Sequence, residues 1–371
     1  MNKQRKYFIT GGGTGGHIYP AIAVADGLLN LEDTDKIYYV GNPKNMEYTI
    51  ASNKNYTFLP VSSSGMPRKL SFALFKWGIQ MFCGWLKCCM YIKKYKPDAI
   101  FGTGGYVSAP VLFAGITKKV PIIMHDCDAN PGLVTRKLAP FANSVSIAFD
   151  AAKEKLNNPN CHINGNPIRN SFSELKKDDA RKELGLDNKL TLCIMGGSQG
   201  AKKINEAIVV ILKKLLEEYN LQIIFQTGKK NYEETISKIK EIYPAFESNK
   251  NLIIRPYFED MVTVLKASDI AISRAGSLSI SELCASSVAT IFIPYPYAAA
   301  DHQRKNAKYM VEKGAGLYLE NDDTNSENLE NLILKLINNP RQLEELQQNA
   351  SKLAKYDGTE KIIEQIKSCI N

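Results

Sequence analysis

Apolar and polar positions in the first half of the chain alternate between short apolar runs and segments with helical spacing. The apolar run at 7–10 is followed by a glycine loop, and apolar positions at helical spacing continue over 18–29. Three more apolar runs predict strands at 36–40, 99–102 and 120–125. Strands that alternate with helices are typical of a parallel sheet covered on both faces, which binds ligands at the carboxyl ends of its strands.

The same pattern starts again after the turn-rich residues 164–169. A strand at 190–195 leads through a second glycine loop into a helix at 201–218. The elements predicted after it are strands at 222–226, 252–255, 270–273 and 290–294 and helices at 232–242 and 261–267. This order predicts an α/β fold of two Rossmann-like, doubly wound lobes that face each other across a cleft.

These patterns also give the expected domain limits. We expect an N-terminal lobe at 1–165, a C-terminal lobe at 166–350 and a C-terminal helix at 351–371. Residues 359–370 are amphipathic, so the last helix is expected to pack back on the N-terminal lobe.

Composition narrows the class of protein. The chain has 371 residues, enough for two domains with large cores, and its eight cysteines contain no C-x-x-C pair. The first residues lack the apolar stretch of a signal peptide, and no uncharged apolar run reaches the ~18 residues of a spanning helix. We therefore expect a soluble intracellular protein with reduced thiols.

The net charge of +9 is concentrated in one half of the chain. Residues 1–165 hold 19 Lys and Arg against 10 Asp and Glu, whereas residues 166–371 hold 28 of each kind. The basic half predicts an anionic partner, for which nucleic acid and an anionic membrane surface are both candidates.

The first glycine loop, GGGTGGH at 11–17, matches G-x-G-x-x-G between a strand and a helix. An NAD site also needs an acidic residue after the second strand, and residues 38–42 (YYVGN) contain none. The glycine amides can instead approach a diphosphate, and the helix dipole favours a neutral, proton-accepting His17. The alternative is a tight structural turn.

Three motifs of the second half suit a nucleotide sugar, and the first two of them each have a structural alternative. The loop GGSQG at 196–200 lacks the lysine of a P-loop and either receives a phosphate or is a plain turn. Residues 273–282 predict a serine-capped helix start for a diphosphate with Arg274 beside it, and Glu282 for two ribose hydroxyls, or else a capping box of Ser279 and Glu282. The polar, aromatic loop 293–303 is placed to read sugar hydroxyls.

Asp126 and Asp128 form a D-x-D at a strand end, a pattern that holds a divalent metal in some glycosyltransferases. Three-residue matches arise often by chance, and no further ligands accompany this one. We therefore expect no metal at this site.

Residues 68–96 combine an apolar stripe with seven cations and both tryptophans of the chain. Phe75, Ile79 and Phe82 recur at helical spacing with Leu86 and Met90, and Trp85 lies beside them. A core-facing helix accounts for part of the segment. Aromatic residues bordered by lysine also match an interfacial segment on anionic lipid, so we expect Phe75, Ile79, Phe82 and Trp85 to contact a membrane.

Six motifs stand in one order over nearly the whole chain. They are GGTGGH at 12–17 with PA at 20–21, GGYVS at 104–108, GNPIR at 165–169, GGSQG at 196–200, RAG at 274–276 with SE at 281–282, and DHQ at 301–303 with NA at 306–307. Together they resemble the MurG family of glycosyltransferase family 28. The resemblance implies a GT-B fold and an inverting, metal-independent hexosyltransferase of peptidoglycan synthesis, hence of bacterial cell wall biogenesis, cell shape and cell division.

The resemblance also implies substrates and a location. The reaction would move N-acetylglucosamine from UDP-N-acetylglucosamine to a polyprenyl-diphosphate-linked muramyl-peptide, the conversion of lipid I to lipid II. It would use no cofactor and no nucleic acid partner, at the cytoplasmic face of the cell membrane as a peripheral protein.

Site residues follow from the same resemblance. In the second lobe, the backbone near Phe258 would face uracil, Glu282 the ribose, Gln303 the sugar and Arg169 the nucleotide. The diphosphate would meet the residues Ser198, Arg274, Ser277, Leu278 and Ser279. The first lobe would add the residues Thr14, Gly15, Gly16, Tyr106 and Asp128. The family usually has His-Glu where this chain has His125-Asp126, and often Asn where it has Asp128.

Inverting transfer needs one base and a sink for the charge of the departing diphosphate. His17 is the expected base, with Asp126 as the next candidate. The competing hypotheses are another GT-B transferase such as a diacylglycerol glycosyltransferase, an NAD-dependent oxidoreductase, and a non-catalytic lipid- or nucleotide-sugar-binding protein.

Overall fold

The computed structural model describes residues 4–54, 56–67, 72–197 and 199–370. It divides into two compact units. The first contains Met1–Ile168 together with Asp357–Asn371, and the second contains Arg169–Tyr356.

The first unit is built on a seven-stranded parallel sheet. Its strands are β1 (Arg5–Thr10), β2 (Thr34–Gly41), β3 (Thr57–Pro60), β4 (Ala99–Gly102), β5 (Ile122–Asp126), β6 (Ser144–Ile147) and β7 (Cys161–Ile163). Their spatial order is β3-β2-β1-β4-β5-β6-β7, so the order reverses between β1 and β4. Ligands of doubly wound sheets bind at such a reversal, beyond the carboxyl ends of the strands.

Helices connect these strands, and the sheet is apolar on both faces. The helices are α1 (Gly15–Leu29), α2 (Met46–Ser52), α3 (Phe72–Tyr95), α4 (Gly105–Lys118) and α5 (Leu133–Leu138). Along β1, Phe8 belongs to one buried cluster, while Tyr7 and Ile9 belong to another. This alternation places a hydrophobic layer on each face of the sheet, as expected for crossover helices on both sides.

The second unit repeats the design with six parallel strands. They are β8 (Thr191–Met195), β9 (Gln222–Gln226), β10 (Leu252–Arg255), β11 (Ile270–Ser273), β12 (Ala289–Phe292) and β13 (Leu317–Tyr318). The order β10-β9-β8-β11-β12-β13 reverses between β8 and β11. The prediction of two Rossmann-like α/β units is therefore confirmed.

The helices of the second unit surround this sheet. They are α6 (Ser171–Glu174), α7 (Lys177–Glu183), α8 (Lys202–Glu217), α9 (Tyr232–Ile242), α10 (Met261–Ala267), α11 (Ser277–Ala285), α12 (His302–Glu312), α13 (Ser326–Ile337) and α14 (Pro340–Leu353). Buried leucines and isoleucines of α8 and α13 pack with Leu192 and Ile194 of β8 in one cluster.

The last helix, α15 (Gly358–Ser368), returns to the first unit. Its residues Ile362, Ile363 and Ile366 are buried in the same cluster as the apolar face of α1. The contact is close, because a Cβ placed on Gly27 of α1 would lie 2.5 Å from Ile363 Cδ1. In the part of the chain that the structure describes, no helix has the length and apolarity needed to cross a membrane.

Candidate active site

The first glycine loop follows β1 at the point where the strand order reverses. A Cβ on Gly11 would lie 2.0 Å from Thr103 Oγ1, and one on Gly105 would lie 2.8 Å from the Gly12 carbonyl oxygen. Gly13 has φ of +84°, a conformation that side chains other than glycine rarely adopt. The loops after β1 and β4 therefore approach each other too closely to leave room for a Cβ at Gly11 or Gly105.

A buried carboxylate that the sequence analysis missed holds this loop. Glu47 of α2 is fully buried, and its carboxylate accepts the backbone N–H groups of Gly13 (3.3 Å) and Asn42 (3.2 Å) and the side-chain amide of Asn45 (3.2 Å). Asn45 also donates to Tyr106 Oη at 3.3 Å. The ring of Tyr106 in turn lies against Gly13, 3.3 Å from the position of an added Cβ.

Helix α1 places the predicted base at its N-terminus. Thr14 is the N-cap, Gly15 and Gly16 begin the helix, and His17 lies in the first turn with its backbone N–H donating to Thr14 O at 3.1 Å. The Thr14 hydroxyl contacts His17 Nδ1 at 3.2 Å. When Nδ1–H donates to this hydroxyl, Nε2 carries the lone pair that can accept a proton.

The loop after β5 brings Asp128 to His17. A ring nitrogen of His17, the Cys127 thiol and a carboxylate oxygen of Asp128 all lie within 4.8 Å of one another. His17 and Asp128 are half-buried, whereas Cys127 is buried. Sequence motifs indicate His17 and Asp128 of this group but not the Cys127 thiol.

Asp126 has a different environment. Its Oδ1 accepts the backbone N–H of Asp128 at 3.2 Å, and its Oδ2 accepts that of Gly132 at 3.0 Å. Burial, followed by the nearby Asp128 carboxylate, raises the pKa of Asp126. The D-x-D therefore does not present two equivalent carboxylates, because Asp126 organises the loop that carries Asp128.

A chain of buried polar groups supports this loop from behind. Burial lowers the pKa of His125 to about 4, so its imidazole is neutral. Nε2–H donates to Asn166 Oδ1 at 3.0 Å, and Nδ1 accepts the hydroxyl of Ser146 at 3.0 Å. Asn166 then donates to the Cys127 carbonyl at 3.4 Å.

This chain continues into α15. Asn164 Nδ2 donates to Ser146 Oγ at 3.1 Å and to Gln365 Oε1 at 2.7 Å, and Gln365 Nε2 donates to Ser144 Oγ and to Val145 O. No sequence motif indicates Gln365, which lies 201 residues from Asn164 in the chain.

In the second unit, α11 begins at the sheet reversal. Its N-cap is Gly276, and no side-chain cap bond forms there among the described residues. The predicted serine cap, and with it the capping box of Ser279 and Glu282, is wrong, because the helix already begins at Ser277. Ser277, Leu278 and Ser279 form the first turn, where the backbone amides and the helix dipole favour an anion.

Glu282 lies within the same helix, one turn further on. It is half-buried, and burial raises its pKa to about 7, an effect that the nearby Arg169 guanidinium opposes. Arg169 is exposed and donates from Nη1 to Glu259 O at 3.4 Å. Within the part of the chain that the structure describes, no hydrogen bond to the Glu282 carboxyl group is formed, so its oxygens are available to hydroxyl donors.

Three other residues that are predicted to bind the nucleotide sugar already form hydrogen bonds within the protein. Arg274 Nη1 donates to Ile293 O (3.1 Å), Pro294 O (3.0 Å) and Asn321 Oδ1 (2.9 Å), and burial lowers the pKa of this guanidinium to about 10. Gln303 Oε1 accepts the N–H of Tyr295 at 2.9 Å. The N–H of Phe258 donates to Gln226 Oε1 at 3.0 Å. The roles of these three residues stay predictions, and Ser198 lies outside the described residues.

The apolar stripe on α3 faces solvent. Phe72, Phe75, Ile79 and Phe82 are 80%, 65%, 50% and 56% exposed, and Leu86 and Met90 continue the stripe. The helix uses the side of Gly84, Cys88 and Ile92 to pack on the unit, so the core-facing interpretation is wrong for the stripe. Trp85 is half-buried, with its indole N–H donating to Thr117 Oγ1 at 3.2 Å. Arg68 and Lys69, at the start of the predicted segment, lie outside the described residues.

Comparison with known proteins gives matches over both units. Residues 7–147 match the glycosyltransferase family 28 N-terminal domain, and residues 191–362 match the C-terminal domain of the same family. A Desulforamulus reducens protein is 37% identical over 357 residues, which is 96% of each chain. A Caldanaerobacter subterraneus protein is 34% identical over 365 residues, 98% of this chain and 99% of its own.

Both relatives are UDP-N-acetylglucosamine--N-acetylmuramyl-(pentapeptide) pyrophosphoryl-undecaprenol N-acetylglucosamine transferases. Among solved structures, Acinetobacter baumannii MurG superposes with a TM-score of 0.81 at 28% identity, over 98% of this chain and 99% of that one. The predicted GT-B fold class is confirmed by this match. The chain therefore belongs to glycosyltransferase family 28, and it is a hexosyltransferase.

Proposed function

We propose that this enzyme transfers N-acetylglucosamine from UDP-N-acetylglucosamine to the muramyl sugar of a polyprenyl-diphosphate-linked muramyl-peptide. This reaction converts lipid I to lipid II in peptidoglycan synthesis. The observation that carries the proposal is the near-complete alignment with transferases of this activity, 34–37% identical over 94% or more of the chain. The motifs of both glycine loops lie within the aligned families.

The donor belongs to the second unit in this proposal. The first turn of α11 receives the diphosphate on its backbone amides, and the positive end of the helix dipole lies there. Glu282 accepts hydrogen bonds from the two ribose hydroxyls. This role is supported by the absence of any hydrogen bond from the described residues to its carboxyl oxygens. Arg169 contributes a positive charge near Glu282.

The chemistry is a single in-line displacement. The acceptor hydroxyl oxygen bonds to C1 of the sugar while the bond from C1 to the diphosphate oxygen breaks, and UDP departs with the electron pair. His17 Nε2 takes the hydroxyl proton, and the half-buried Asp128 carboxylate stabilises the imidazolium that forms. Backbone amides at helix N-termini bear the developing charge of UDP, so we propose an inverting reaction that needs no divalent cation.

The acceptor brings the enzyme to the membrane. A polyprenyl chain remains in the bilayer, so a transferase acting on it must reach the surface. The exposed stripe of Phe72, Phe75, Ile79 and Phe82 on α3 is the proposed contact, and the cations of the first unit favour anionic lipid. We propose a peripheral location at the cytoplasmic face of the cell membrane.

The decisive experiment is turnover by the purified enzyme with UDP-N-acetylglucosamine and a lipid-linked muramyl-peptide, read by mass spectrometry of the lipid product. We expect a mass gain of one N-acetylhexosamine, unchanged in EDTA. Diacylglycerol in place of the muramyl lipid tests the alternative transferase and is expected to give no product. Transfer to diacylglycerol alone would overturn the proposed acceptor, and activity that EDTA abolishes and magnesium restores would overturn the metal-free mechanism.

A further inference from the structure

Three potential metal-ligand atoms, one of them on the proposed base His17, lie close together in the first unit. A ring nitrogen of His17, the Cys127 sulfur and an Asp128 carboxylate oxygen are all within 4.8 Å of one another, and Cys127 Sγ is 3.9 Å from Asp128 Oδ2. These contacts join residues from two separate loops, the start of α1 and the end of β5.

The spacing of these atoms suits a small tetrahedral ion. Zinc lies about 2.0–2.3 Å from its nitrogen, oxygen and sulfur ligands, which places neighbouring ligand atoms roughly 3.3–3.8 Å apart. The three atoms, which lie within 4.8 Å of one another, therefore need to approach by no more than about 1.5 Å.

The donor chemistry selects among metals. Imidazole and thiolate are preferred by zinc and its neighbours in the transition series, whereas magnesium, calcium and manganese prefer oxygen ligands. Cys127 is buried, whereas His17 and Asp128 are half-buried and therefore partly accessible to solvent. Three protein ligands with one open position is a common arrangement for bound zinc.

We propose that His17, Cys127 and Asp128 form a binding site for Zn²⁺ and that the bound ion inhibits the enzyme. Binding releases the thiol proton to solvent, because the thiolate is the ligand. The ion then occupies the lone pair of His17 and the carboxylate of Asp128. While it is bound, His17 has no lone pair for the acceptor proton.

Binding is tested with the metal alone, using the full-length protein. Co²⁺ serves as a spectroscopic substitute for Zn²⁺, and we expect the visible bands of a tetrahedral site, a thiolate charge-transfer band, and displacement by one equivalent of Zn²⁺. Cys127→Ala and Cys127→Ser should lose the charge-transfer band and weaken Zn²⁺ binding by at least about 10-fold, since a direct ligand matters no less than the outer-shell groups whose loss costs 10–100-fold.

Two further variants make the binding test specific. Asp128→Asn keeps the size of the side chain and should also weaken Zn²⁺ binding, while Cys83→Ser removes an exposed thiol of α3 and should change nothing. Circular dichroism establishes that each variant is folded. A folded Cys127→Ala protein that binds Zn²⁺ as tightly as the parent, or a Cys83→Ser protein that loses the charge-transfer band, would overturn the site.

Inhibition is tested separately, in an assay of N-acetylglucosamine transfer. This part of the inference rests on the proposed transferase function. Micromolar Zn²⁺ should stop transfer by the parent and Mg²⁺ should not, whereas Cys127→Ala, measured against its own zinc-free rate, should tolerate at least about 10-fold more Zn²⁺. Equal sensitivity of the parent and Cys127→Ala would overturn the inhibitory role. If the protein lacks transferase activity altogether, the cobalt spectra still decide whether the site exists.

Discussion

At the scale of single residues, His17 combines several features of a general base. It lies in the first turn of α1, its Nδ1 contacts the Thr14 hydroxyl, and Asp128 stands within 4.8 Å. Asp126 has less freedom to act in this role, since both of its oxygens accept backbone N–H groups. The two carboxylates of the loop after β5 therefore differ in what they can do, although they are two residues apart.

We expect His17→Ala to lower kcat by about 10²–10⁴-fold while the KM for UDP-N-acetylglucosamine changes little, because general-base catalysis contributes that factor to the rate. Steady-state kinetics on the lipid acceptor measure both constants. His162→Ala, which removes an exposed histidine of β7, is the matched control and should leave kcat unchanged. A near-normal kcat for His17→Ala would transfer the assignment of the base to Asp126.

Glu282→Gln should raise the KM for UDP-N-acetylglucosamine by about 10–100-fold, because hydrogen bonds to a charged group contribute about 1.5–3 kcal/mol. The carboxyl has its pKa raised to about 7 in the folded protein, so donor binding by the parent should also weaken as the pH falls below 7. The pH profile of the KM tests this, with the exposed Glu241→Gln as control.

The same carboxyl makes a second, opposite prediction for folding. Folding raises the pKa of this carboxyl, so the native state binds the proton more tightly than the unfolded state does. Ionising the carboxyl as the pH rises towards 7 therefore lowers the free energy of unfolding. Glu282→Gln should therefore be more stable than the parent at pH 8 and similar to it at pH 4. Urea denaturation at the two pH values measures this, and equal effects at both would contradict it.

At the scale of elements, α3 is amphipathic in an unusual way, because its aromatic stripe is on the outside. Replacing Phe75 and Phe82 by Ser should reduce binding to anionic vesicles by at least about tenfold, since burying each ring contributes about 1.5–3 kcal/mol. Vesicle co-sedimentation is the measurement. Val210→Ser, at a 58% exposed position of α8, is the control, and equal losses in both proteins would contradict the proposed contact face.

Gln365 joins α15 to the polar chain beneath the site. Gln365→Leu should lower the free energy of unfolding by about 1–3 kcal/mol, because the amide of Asn164 and the hydroxyl of Ser144 each lose one of their buried hydrogen-bond partners. Urea denaturation measures the change. The exposed Gln348→Leu of α14 should have little effect, and similar losses in the two variants would show that the buried chain adds no stability.

Sequence patterns predicted the elements that are continuous apolar runs, including β4, β9 and β11, with the bounds that the structure gives. They missed β6, in which Ser144 and Ser146 alternate with Val145 and Ile147, because its buried serines are satisfied by partners far away in the chain. The spacing of the α3 stripe predicted a helix but not which face is covered, since both faces of this helix carry apolar residues.

The site shows the same division. The glycine loops and His17 are recognisable from the sequence, because a glycine cluster between a strand and a helix has few other uses. Glu47 and Gln365 are not recognisable, because their hydrogen-bond partners are far away in the chain. Glu47 accepts from Gly13, 34 positions away, and Gln365 accepts from Asn164, 201 positions away. The sequence predicts a serine cap for α11, because several serines lie near its start, but the N-cap in the structure is Gly276.

At the scale of the whole molecule, charge and hydrophobicity are unevenly divided along the chain. The excess of nine positive charges lies within residues 1–165, which also contain the exposed stripe of α3. Salt screens the attraction between the cations and anionic lipid, with a screening length of about 8 Å at physiological salt and about 3 Å at 1 M. The burial of apolar side chains in the lipid is not screened by salt.

We therefore expect binding to anionic vesicles to fall strongly between low salt and 1 M salt without reaching zero. Co-sedimentation across a salt series measures the two contributions. The binding that persists at 1 M should be at least about tenfold weaker in the protein with Phe75→Ser and Phe82→Ser. Salt-independent binding by the parent would show that the charge asymmetry has no part in it.

The first unit consists of two stretches of chain, with the second unit inserted between Ile168 and Asp357. During translation, residues 169–356 emerge as one uninterrupted stretch, so the second unit can finish folding first. The isoleucines that cover α1 leave the ribosome later. Until they do, the apolar face of α1 in the nascent first unit is exposed to solvent, and we expect chaperones to bind the nascent chain there.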